Sequence, residues 1–496
     1  MSRSVASMRW ACRPRRTALC HAAFKTKFST LTSGRRPPLP NQFLEAYQDK
    51  NFDPSTHQRN DVPFDQVNGK PPLHDASEYH EMVGDGKDYK FSHTWIKARV
   101  EEWQSDPDDY DVLWEDVTKG NVSVSMESNA PKRVLWSNWS ESLVRDPEKS
   151  PILFEYDQLV AKISKTREEE RLMKALYQYG LVMITGTPSA TDSLPAEAKD
   201  PKWSALDNKI TSKGTAEYGI LHLASIVGYH PLHTLYGSGV WSTSSRSSFY
   251  NDKLGITEGA STADSAYGST SLPLHTDMTY LSNPPGVQVF LMVQPASISD
   301  NFTTTDSKDI QPKGQSIYID GFAAARQLLK ENSRAFHILA TTSRKYRCID
   351  NDEGWHLEAR GSVIDVNPRG GYSCNTRQSD QNTVDGFVKE WGPVKAIRHN
   401  DLDRMPDLPP LAFPDHESFY RELREAHEAW DDVLRRDEMR LVIDLQPGDC
   451  ILVANQRVMH GRYSFETMSY PRVVMGCYVG MDELASKWRR MGFSIP

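Results

Sequence analysis

The short segment Leu274–Asp277 constrains the fold of this chain most strongly. In an extended strand, residues i and i+2 project to the same face, so His275 and Asp277 can present an imidazole and a carboxylate side by side. Such a pair can occupy two neighbouring positions on a metal ion. Two other His-x-acid triplets begin at His356 and His399, so the pattern alone is weak. The fold must supply a third ligand.

His460 can supply this ligand if two strand ends meet across a barrel. It follows Cys450–Ala454, which we predict to be a strand joined by a tight connection to another strand at Leu441–Leu445. The other two triplets have a poorer context. We expect His399 in a loop with no adjoining strand and His356 in a charged segment flanked by glycine.

The predicted metal ligands are therefore His275, Asp277 and His460. Two imidazoles and one carboxylate on one face are typical of non-haem Fe(II) oxygenases, which keep positions open for a keto acid and O₂. Arg472 lies twelve residues beyond His460 on a predicted strand. Its guanidinium could bind the distal carboxylate of 2-oxoglutarate through two parallel hydrogen bonds.

Helical and extended patterns alternate around these residues. Residues 240–271 are rich in Ser, Thr, Gly and Asp, and we expect a long loop that leads to His275. Residues 297–314 are expected to be a polar insertion. The predicted helices are Leu159–Tyr179, Gly321–Lys330 and Phe419–Leu434, and further predicted strands are Leu181–Thr185, Val287–Val293, Ser316–Asp320 and Arg472–Tyr478.

The first 44 residues carry nine Lys and Arg and no acidic residue, because the first acid is Glu45. This Arg- and Ser-rich start lacks a long apolar core, which favours a mitochondrial presequence at residues 1–36 and a location in the matrix. A basic tail without function is the alternative. Removing nine positive charges takes the formal net charge from −8 to about −17, which argues against nucleic-acid binding.

The remaining chain is predicted to contain a linker at 37–87, a small β-rich domain at 88–147 and the main domain at 148–496. No apolar run approaches the length of a membrane span. The six cysteines have no paired spacing, so we expect neither a disulfide framework nor a Cys-rich zinc site.

Four motifs, in order, resemble the 2-oxoglutarate dioxygenases of carnitine biosynthesis. These enzymes, γ-butyrobetaine dioxygenase and trimethyllysine dioxygenase, are relatives of the taurine dioxygenase group. The resemblance covers roughly residues 150 to 490. The matching motifs are Leu272–Tyr280, Pro284–Phe290, Val453–Arg462 (with Val-Ala-Asn and Arg-Val-Met-His-Gly-Arg) and Gly476–Tyr478.

The resemblance implies a mainly β fold with flanking helices, a double-stranded β-helix or jelly-roll barrel behind the small N-terminal domain. It implies that His275, Asp277 and His460 bind Fe(II) and that Arg472 binds 2-oxoglutarate. The reaction would use O₂ to couple decarboxylation of 2-oxoglutarate to hydroxylation of a C–H bond, with ascorbate as the reductant. The family's Cys-rich zinc site is absent, since no Cys lies between residues 20 and 348.

The substrate predicted from the resemblance is a small quaternary ammonium compound. A trimethylammonium group has no N–H donor and is best held over aromatic faces. The predicted substrate-binding residues are Tyr236, Trp241, Asp264, Tyr267, Asn375 and Tyr478. Asp264 stands where the trimethyllysine enzyme has Asp and the butyrobetaine enzyme has Asn, so trimethyllysine is slightly favoured.

Three readings remain open at this point. A dioxygenase of the same fold could act on another betaine-like or amino-acid substrate. The four aromatic residues could instead only fill the mouth of a barrel, and the barrel could bind metal or ligand without catalysis. The expected partner is a small-molecule substrate. A homodimer is one of the assemblies that we expect.

Overall fold

The computed structural model describes residues 111–121, 131–161, 165–191, 199–200, 214–245, 269–296, 314–351, 354–366, 393–409, 415–465 and 470–493. The chain divides into two compact units, Met1–Ser105 and Asp106–Pro496, and every described residue belongs to the second. The predicted presequence and linker, residues 1–87, lie outside the described residues.

Short strands and helices alternate along the second unit. The strands are β1 (Asp111–Leu113), β2 (Arg133–Leu135), β3 (Leu153–Glu155), β4 (Leu181–Thr185), β5 (His233–Thr234), β6 (Gly237–Ser238), β7 (Trp241–Ser245), β8 (Leu272–His275), β9 (Val287–Gln294), β10 (Ser316–Asp320), β11 (Arg344–Asp350), β12 (Trp355–Gly361), β13 (Ile364–Val366), β14 (Val394–Ile397), β15 (Leu441–Ile443), β16 (Cys450–Ala454), β17 (Val458–Arg462) and β18 (Arg472–Val479). The helices are α1 (Trp114–Thr118), α2 (Glu141–Val144), α3 (Tyr156–Val160), α4 (Lys165–Tyr179), α5 (Ala216–Val227), α6 (Gly321–Glu331), α7 (Ser333–Thr341), α8 (His416–Leu434) and α9 (Met481–Arg490).

A six-stranded mixed sheet with the order β3-β4-β16-β9-β18-β7 is the larger of the two main sheets. All its pairs are antiparallel except the β3–β4 pair. Strands β16 and β18 are buried along their whole length, which explains their continuous apolar sequences. Helices α4, α5 and α9 pack against this sheet and share one apolar core with it.

A four-stranded sheet with the order β15-β10-β17-β8 carries two of the predicted metal ligands. Helices α6, α7 and α8 lie behind it and form a second core that includes Ile319 of β10 and Met459 of β17. Trp430 of α8 is fully buried in this core, as the predicted apolar face of that helix requires. Each main sheet is therefore supported by its own helices, and the fold is β-centred with flanking helices.

Strands β15 and β16 are joined by a short connection, as predicted, and they lie in different sheets, since β15 pairs with β10 in one sheet and β16 pairs with β4 and β9 in the other. Two other sequence predictions need correction. The expected loop at 240–271 contains strand β7, which pairs with β18; residues 246–268 lie outside the described residues. The predicted helix Leu159–Tyr179 is two helices, α3 and α4.

The described part of the predicted N-terminal domain packs into the main core. Strands β1 and β2 pair in parallel, and Trp136 stacks on Trp139 with ring centroids 4.8 Å apart. Both indoles belong to the same buried cluster as the six-stranded sheet. Residues 88–110 and 122–130 lie outside the described range, so the boundary at residue 148 stays a prediction.

A buried ion pair connects this N-terminal segment to the turn between β16 and β17. Arg457 donates to both oxygens of Asp320, at 3.1 and 2.8 Å, and both side chains are almost completely buried. Arg457 also donates to the carbonyl of Val134 at 2.7 Å, and the backbone N–H of Trp136 donates to Asp320 at 3.1 Å. Because a buried ion pair is stable only when its hydrogen bonds are satisfied, these contacts fix the turn against the core.

Across the helices that can be described, none combines the length and the apolar character needed to cross a lipid bilayer.

Candidate active site

The predicted site residues meet in a cavity of about 670 Å³ between the two main sheets. Strands β7, β9 and β18 of the six-stranded sheet form one wall, and strands β8, β10 and β17 form the opposite wall. His275, Asp277, His460, Arg472, Tyr236, Trp241 and Tyr478 all line this cavity.

The three predicted metal ligands converge on one point. His275 and His460 lie directly opposite each other on the antiparallel strands β8 and β17, and their ring centroids are 4.4 Å apart. Asp277 follows β8 by two residues, and its Oδ1 lies 3.4 Å from Nε2 of His275 and 3.6 Å from Nε2 of His460. One carboxylate oxygen and two imidazole nitrogens therefore face a common centre, as a metal site requires.

Local structure explains why the two histidines lie so close. A side chain at Gly461 would place its Cβ 2.8 Å from the carbonyl oxygen of Leu272, so only glycine permits this approach of β17 to β8. The Nδ1 of His275 hydrogen-bonds the carbonyl of Pro273 at 2.8 Å. This bond requires the proton on Nδ1 and leaves the Nε2 lone pair available for a metal.

Two amide side chains hold Asp277. The buried Asn455 accepts a hydrogen bond from the backbone N–H of Asp277 at 2.7 Å and donates to its carbonyl at 3.0 Å. Gln288 of β9 donates from Nε2 to Oδ2 of Asp277 at 2.7 Å. The backbone and one carboxylate oxygen are thus fixed, and Oδ1 is the oxygen that faces the histidines.

The electrostatics of the triad suit a cation. Burial raises the pKa of the Asp277 carboxyl, but the neighbouring His460 and His275 lower it by more, so the pKa lies below its ordinary value. Burial lowers the pKa of His460 to about 4 despite the nearby carboxylate of Asp277. At neutral pH the aspartate is therefore charged and His460 is neutral, which are the metal-binding forms of both groups.

Arg472 begins β18 and is 4% exposed. Its guanidinium lies 5.7 Å from the ring centre of Phe290 and 5.9 Å from that of Phe465. No carboxylate among the described residues pairs with it, and its Nε is buried without a hydrogen-bond partner there. Burial and the charge of Arg462 lower the pKa of Arg472 to about 9, so the guanidinium stays charged at neutral pH. A buried cation of this kind fits an anionic ligand.

Three of the predicted aromatic residues form one corner of the cavity. The ring centroid of Tyr478 lies 6.3 Å from that of Tyr236 and 5.9 Å from that of Trp241. Trp241 pairs with Gly476 across the β7–β18 ladder. A Cβ at Gly476 would lie 2.6 Å from the indole ring and 2.2 Å from the carbonyl of Val289, so the Trp241 ring occupies space that only glycine leaves open.

The remaining substrate predictions fall outside the described residues. Asp264, Tyr267 and Asn375 belong to the undescribed segments 246–268 and 367–392. Polar residues that were not predicted also line the cavity, notably Asp350, Asn400 and Asp403. They lie at the end of β11 and just after β14, and nothing in their local sequence placed them beside the triad.

The prediction that His399 has no adjoining strand was wrong, because His399 follows β14 closely and its carbonyl accepts a hydrogen bond from the backbone N–H of Thr276 at 2.7 Å. His356 lies in a charged segment between Gly354 and Gly361, as predicted, and this segment is strand β12. His399 lies within reach of Asp401 and Asp431. Those carboxylates already face arginines, Asp401 at 2.9 Å from Arg404 and Asp431 at 3.6 Å from Arg435, so we interpret the group as an ion-pair network.

Asn455 and Gln288 are the functional contacts that sequence reasoning missed. Both lie inside motifs that carried the family resemblance, Val453–Arg462 and Pro284–Phe290. Their position inside these motifs was the feature of the sequence that could have identified them. Their roles depend on which strands become neighbours, and no pattern along the chain reveals this.

Comparison with known proteins supports the motif resemblance. Residues 154–478 match the family described as "Taurine catabolism dioxygenase TauD, TfdA family". The chain is 28% identical to a trimethyllysine dioxygenase of Neurospora crassa over 50% of this chain and 51% of that protein. It is 24% identical to γ-butyrobetaine dioxygenase of Homo sapiens over 49% of this chain and 52% of that protein. The match thus spans about half the length of these relatives.

Among solved structures, the chain is similar to AAD-2 in complex with Mn(II) and N-oxalylglycine. The TM-score is 0.39 and the identity 11%, over 66% of this chain and 94% of that one. The family match covers well over half of the chain and includes all three predicted metal ligands, Arg472 and the three described aromatic residues. The resemblance to the carnitine-biosynthesis dioxygenases is confirmed, and the chain belongs to the taurine catabolism dioxygenase TauD, TfdA family.

Proposed function

We propose that this protein is an Fe(II)- and 2-oxoglutarate-dependent dioxygenase that hydroxylates a quaternary ammonium, amino-acid-like substrate. Trimethyllysine is slightly favoured over γ-butyrobetaine. One observation carries the proposal: a convergent His-Asp-His triad, a buried arginine and an aromatic corner line the same cavity.

In this proposal His275, Asp277 and His460 hold the iron. Two imidazoles and one carboxylate suit Fe(II), and the described donor atoms offer them on one side of the cavity. Iron(II) bound there supplies, with 2-oxoglutarate and O₂, the oxidising power for hydroxylation of an unactivated C–H bond. The chain contributes by keeping His460 neutral and Asp277 charged, so that neither ligand has to lose a proton when the metal arrives.

Arg472 binds the distal carboxylate of 2-oxoglutarate in this proposal. Its burial makes an unpaired guanidinium costly, and a carboxylate ligand removes that cost through charge-assisted hydrogen bonds. Phe290 and Phe465 lie against the guanidinium and restrict its movement. The keto acid is thereby oriented between β18 and the triad.

The aromatic corner of Tyr236, Trp241 and Tyr478 holds the trimethylammonium group. Rings arranged around one point attract a quaternary cation by about 0.5–2 kcal/mol each. Asp264 would pair with a second cationic group of the substrate, which trimethyllysine has and γ-butyrobetaine lacks. This difference supports trimethyllysine, as do the relatives named trimethyllysine dioxygenase.

One assay tests the proposal. Purified protein is loaded anaerobically with Fe(II), supplied with 2-oxoglutarate, O₂ and ascorbate, and offered trimethyllysine, γ-butyrobetaine and other quaternary amines. We expect trimethyllysine to stimulate succinate release with equal amounts of hydroxylated product. No succinate with any amine would refute the dioxygenase proposal, and stimulation by a different amine alone would reassign the substrate.

Architecture and location complete the proposal. The two main sheets are proposed to form the double-stranded β-helix, with domain boundaries at 87/88 and 147/148 as predicted. The basic start and the relatives named "Trimethyllysine dioxygenase, mitochondrial" support import into mitochondria. Fusion of residues 1–36 to a fluorescent protein should direct it to mitochondria.

A further inference from the structure

Gln288 connects the metal end of the cavity to the aromatic corner. It lies on β9, directly opposite Tyr478 of β18 and Val453 of β16. Because β9 is paired on both sides, the backbone of Gln288 is fixed, and so is the point from which its side chain extends. The side chain is 4% exposed and lines the cavity.

The amide nitrogen of Gln288 has two contacts that matter for the site. It donates to Oδ2 of Asp277 at 2.7 Å and lies 3.4 Å from the hydroxyl of Tyr478. The same tyrosine stands beside Tyr236 and Trp241 in the aromatic corner.

These contacts make the two oxygens of Asp277 unequal. Oδ2 is engaged by Gln288, while Oδ1 faces both histidine Nε2 atoms. A neutral amide achieves this without adding a positive charge that would compete with a metal for the carboxylate. Hydrogen-bonded groups behind a ligand of this kind fix its orientation and tune the metal affinity.

We infer that Gln288 is a positioning residue that selects Oδ1 of Asp277 as the metal-binding oxygen and couples this ligand to Tyr478. The inference rests on the proposed function for the identity of the site. It goes further in assigning a link between the metal ligand and the wall that receives the substrate. A substrate bound in the aromatic corner would fix Tyr478, and through Gln288 it would also hold the Asp277 carboxylate in place.

The test compares Gln288→Met with Gln294→Met. Methionine has a similar length and no N–H donor. Gln294 lies on the same strand and is equally buried, but it donates to the carbonyl of Pro471 and not to a ligand. Co(II) binding is followed by visible absorption, and the ratio of hydroxylated product to succinate is measured in the iron enzyme.

For Gln288→Met we expect Co(II) affinity to fall about 10-fold or more, a changed Co(II) spectrum and a lower product-to-succinate ratio. Gln294→Met should keep the wild-type spectrum and ratio, even if it lowers the melting temperature. Identical spectra, affinities and ratios for the two variants would overturn the inference. If Gln288→Met does not fold, Gln288→Asn, whose shorter amide cannot reach Asp277 from the same backbone, carries the same comparison.

The two proposals can fail separately. Wild-type protein that binds Co(II) but releases no succinate would refute the proposed function. The Co(II) spectra of the variants would still decide the role of Gln288.

Discussion

The metal end and the aromatic end of the cavity are built differently. At the metal end, hydrogen bonds to the Pro273 carbonyl and to Asn455, and one from Gln288, fix His275 and Asp277, and each predicted ligand lies on or beside a paired strand. At the aromatic end, the rings of Tyr236 and Trp241 pack against that of Tyr478, with centroid distances of 6.3 and 5.9 Å. Directional bonds fix a geometry that one reaction needs, whereas ring contacts leave room for substrates of different shape. This cavity therefore defines the proposed reaction more closely than it defines the substrate.

The largest effect should come from the metal end. His275→Ala removes one of three ligands, and we expect metal binding and turnover to be lost, by at least about 1,000-fold in turnover, because no other described donor faces the same centre. Iron content after equilibrium dialysis measures the loss. His399→Gln is the matched control, since this buried histidine lies next to Thr276 but outside the triad. Equal iron content in the two variants would contradict the assignment.

A smaller effect should appear at Arg472. Arg472→Met would remove the two proposed charge-assisted hydrogen bonds, and we expect the KM for 2-oxoglutarate to rise at least about 100-fold, since such bonds contribute about 1.5–3 kcal/mol each. Arg472→Lys keeps the charge but not the paired geometry and should fall between wild type and Met. Steady-state kinetics with varied 2-oxoglutarate provides the measurement. An unchanged KM in both variants would remove Arg472 from the site.

The smallest effect should come from the aromatic end. Trp241→Leu keeps apolar contact but removes the ring, so the KM for the quaternary amine should rise about 2- to 30-fold, while the KM for 2-oxoglutarate stays the same. A neutral substrate analogue with a tert-butyl group in place of trimethylammonium tests the cause. Its binding should change less between wild type and Trp241→Leu. An equal loss for both compounds would mean that shape, and not attraction to the cation, explains the contact.

The sequence predicted the metal end better than the other regions for a physical reason. His275 and Asp277 are two residues apart on one strand, so strand geometry alone places them together. His460 and Arg472 were predicted from their positions on or after predicted strands, on the condition that strand ends meet across a barrel, because no local geometry brings them near His275. The short connection between β15 and β16 was predicted, but its sequence does not reveal that β16 belongs to another sheet. Gln288 was missed because its partner Asp277 follows a strand of the other main sheet, and the sequence does not show that the two sheets face each other.

The turn between β16 and β17 affects how the protein unfolds. Asn455, which holds the backbone of Asp277, and Arg457, which is bound to Asp320 in the core, are only two residues apart. Loosening Asp277 therefore disturbs the same turn that the core ion pair holds. The amide protons of Asp277 and Asn455 should then exchange with deuterium only in the rarest, global opening events, whereas those around Trp241 should exchange in local ones. Such a protein would retain its metal-binding geometry until nearly the whole domain unfolds.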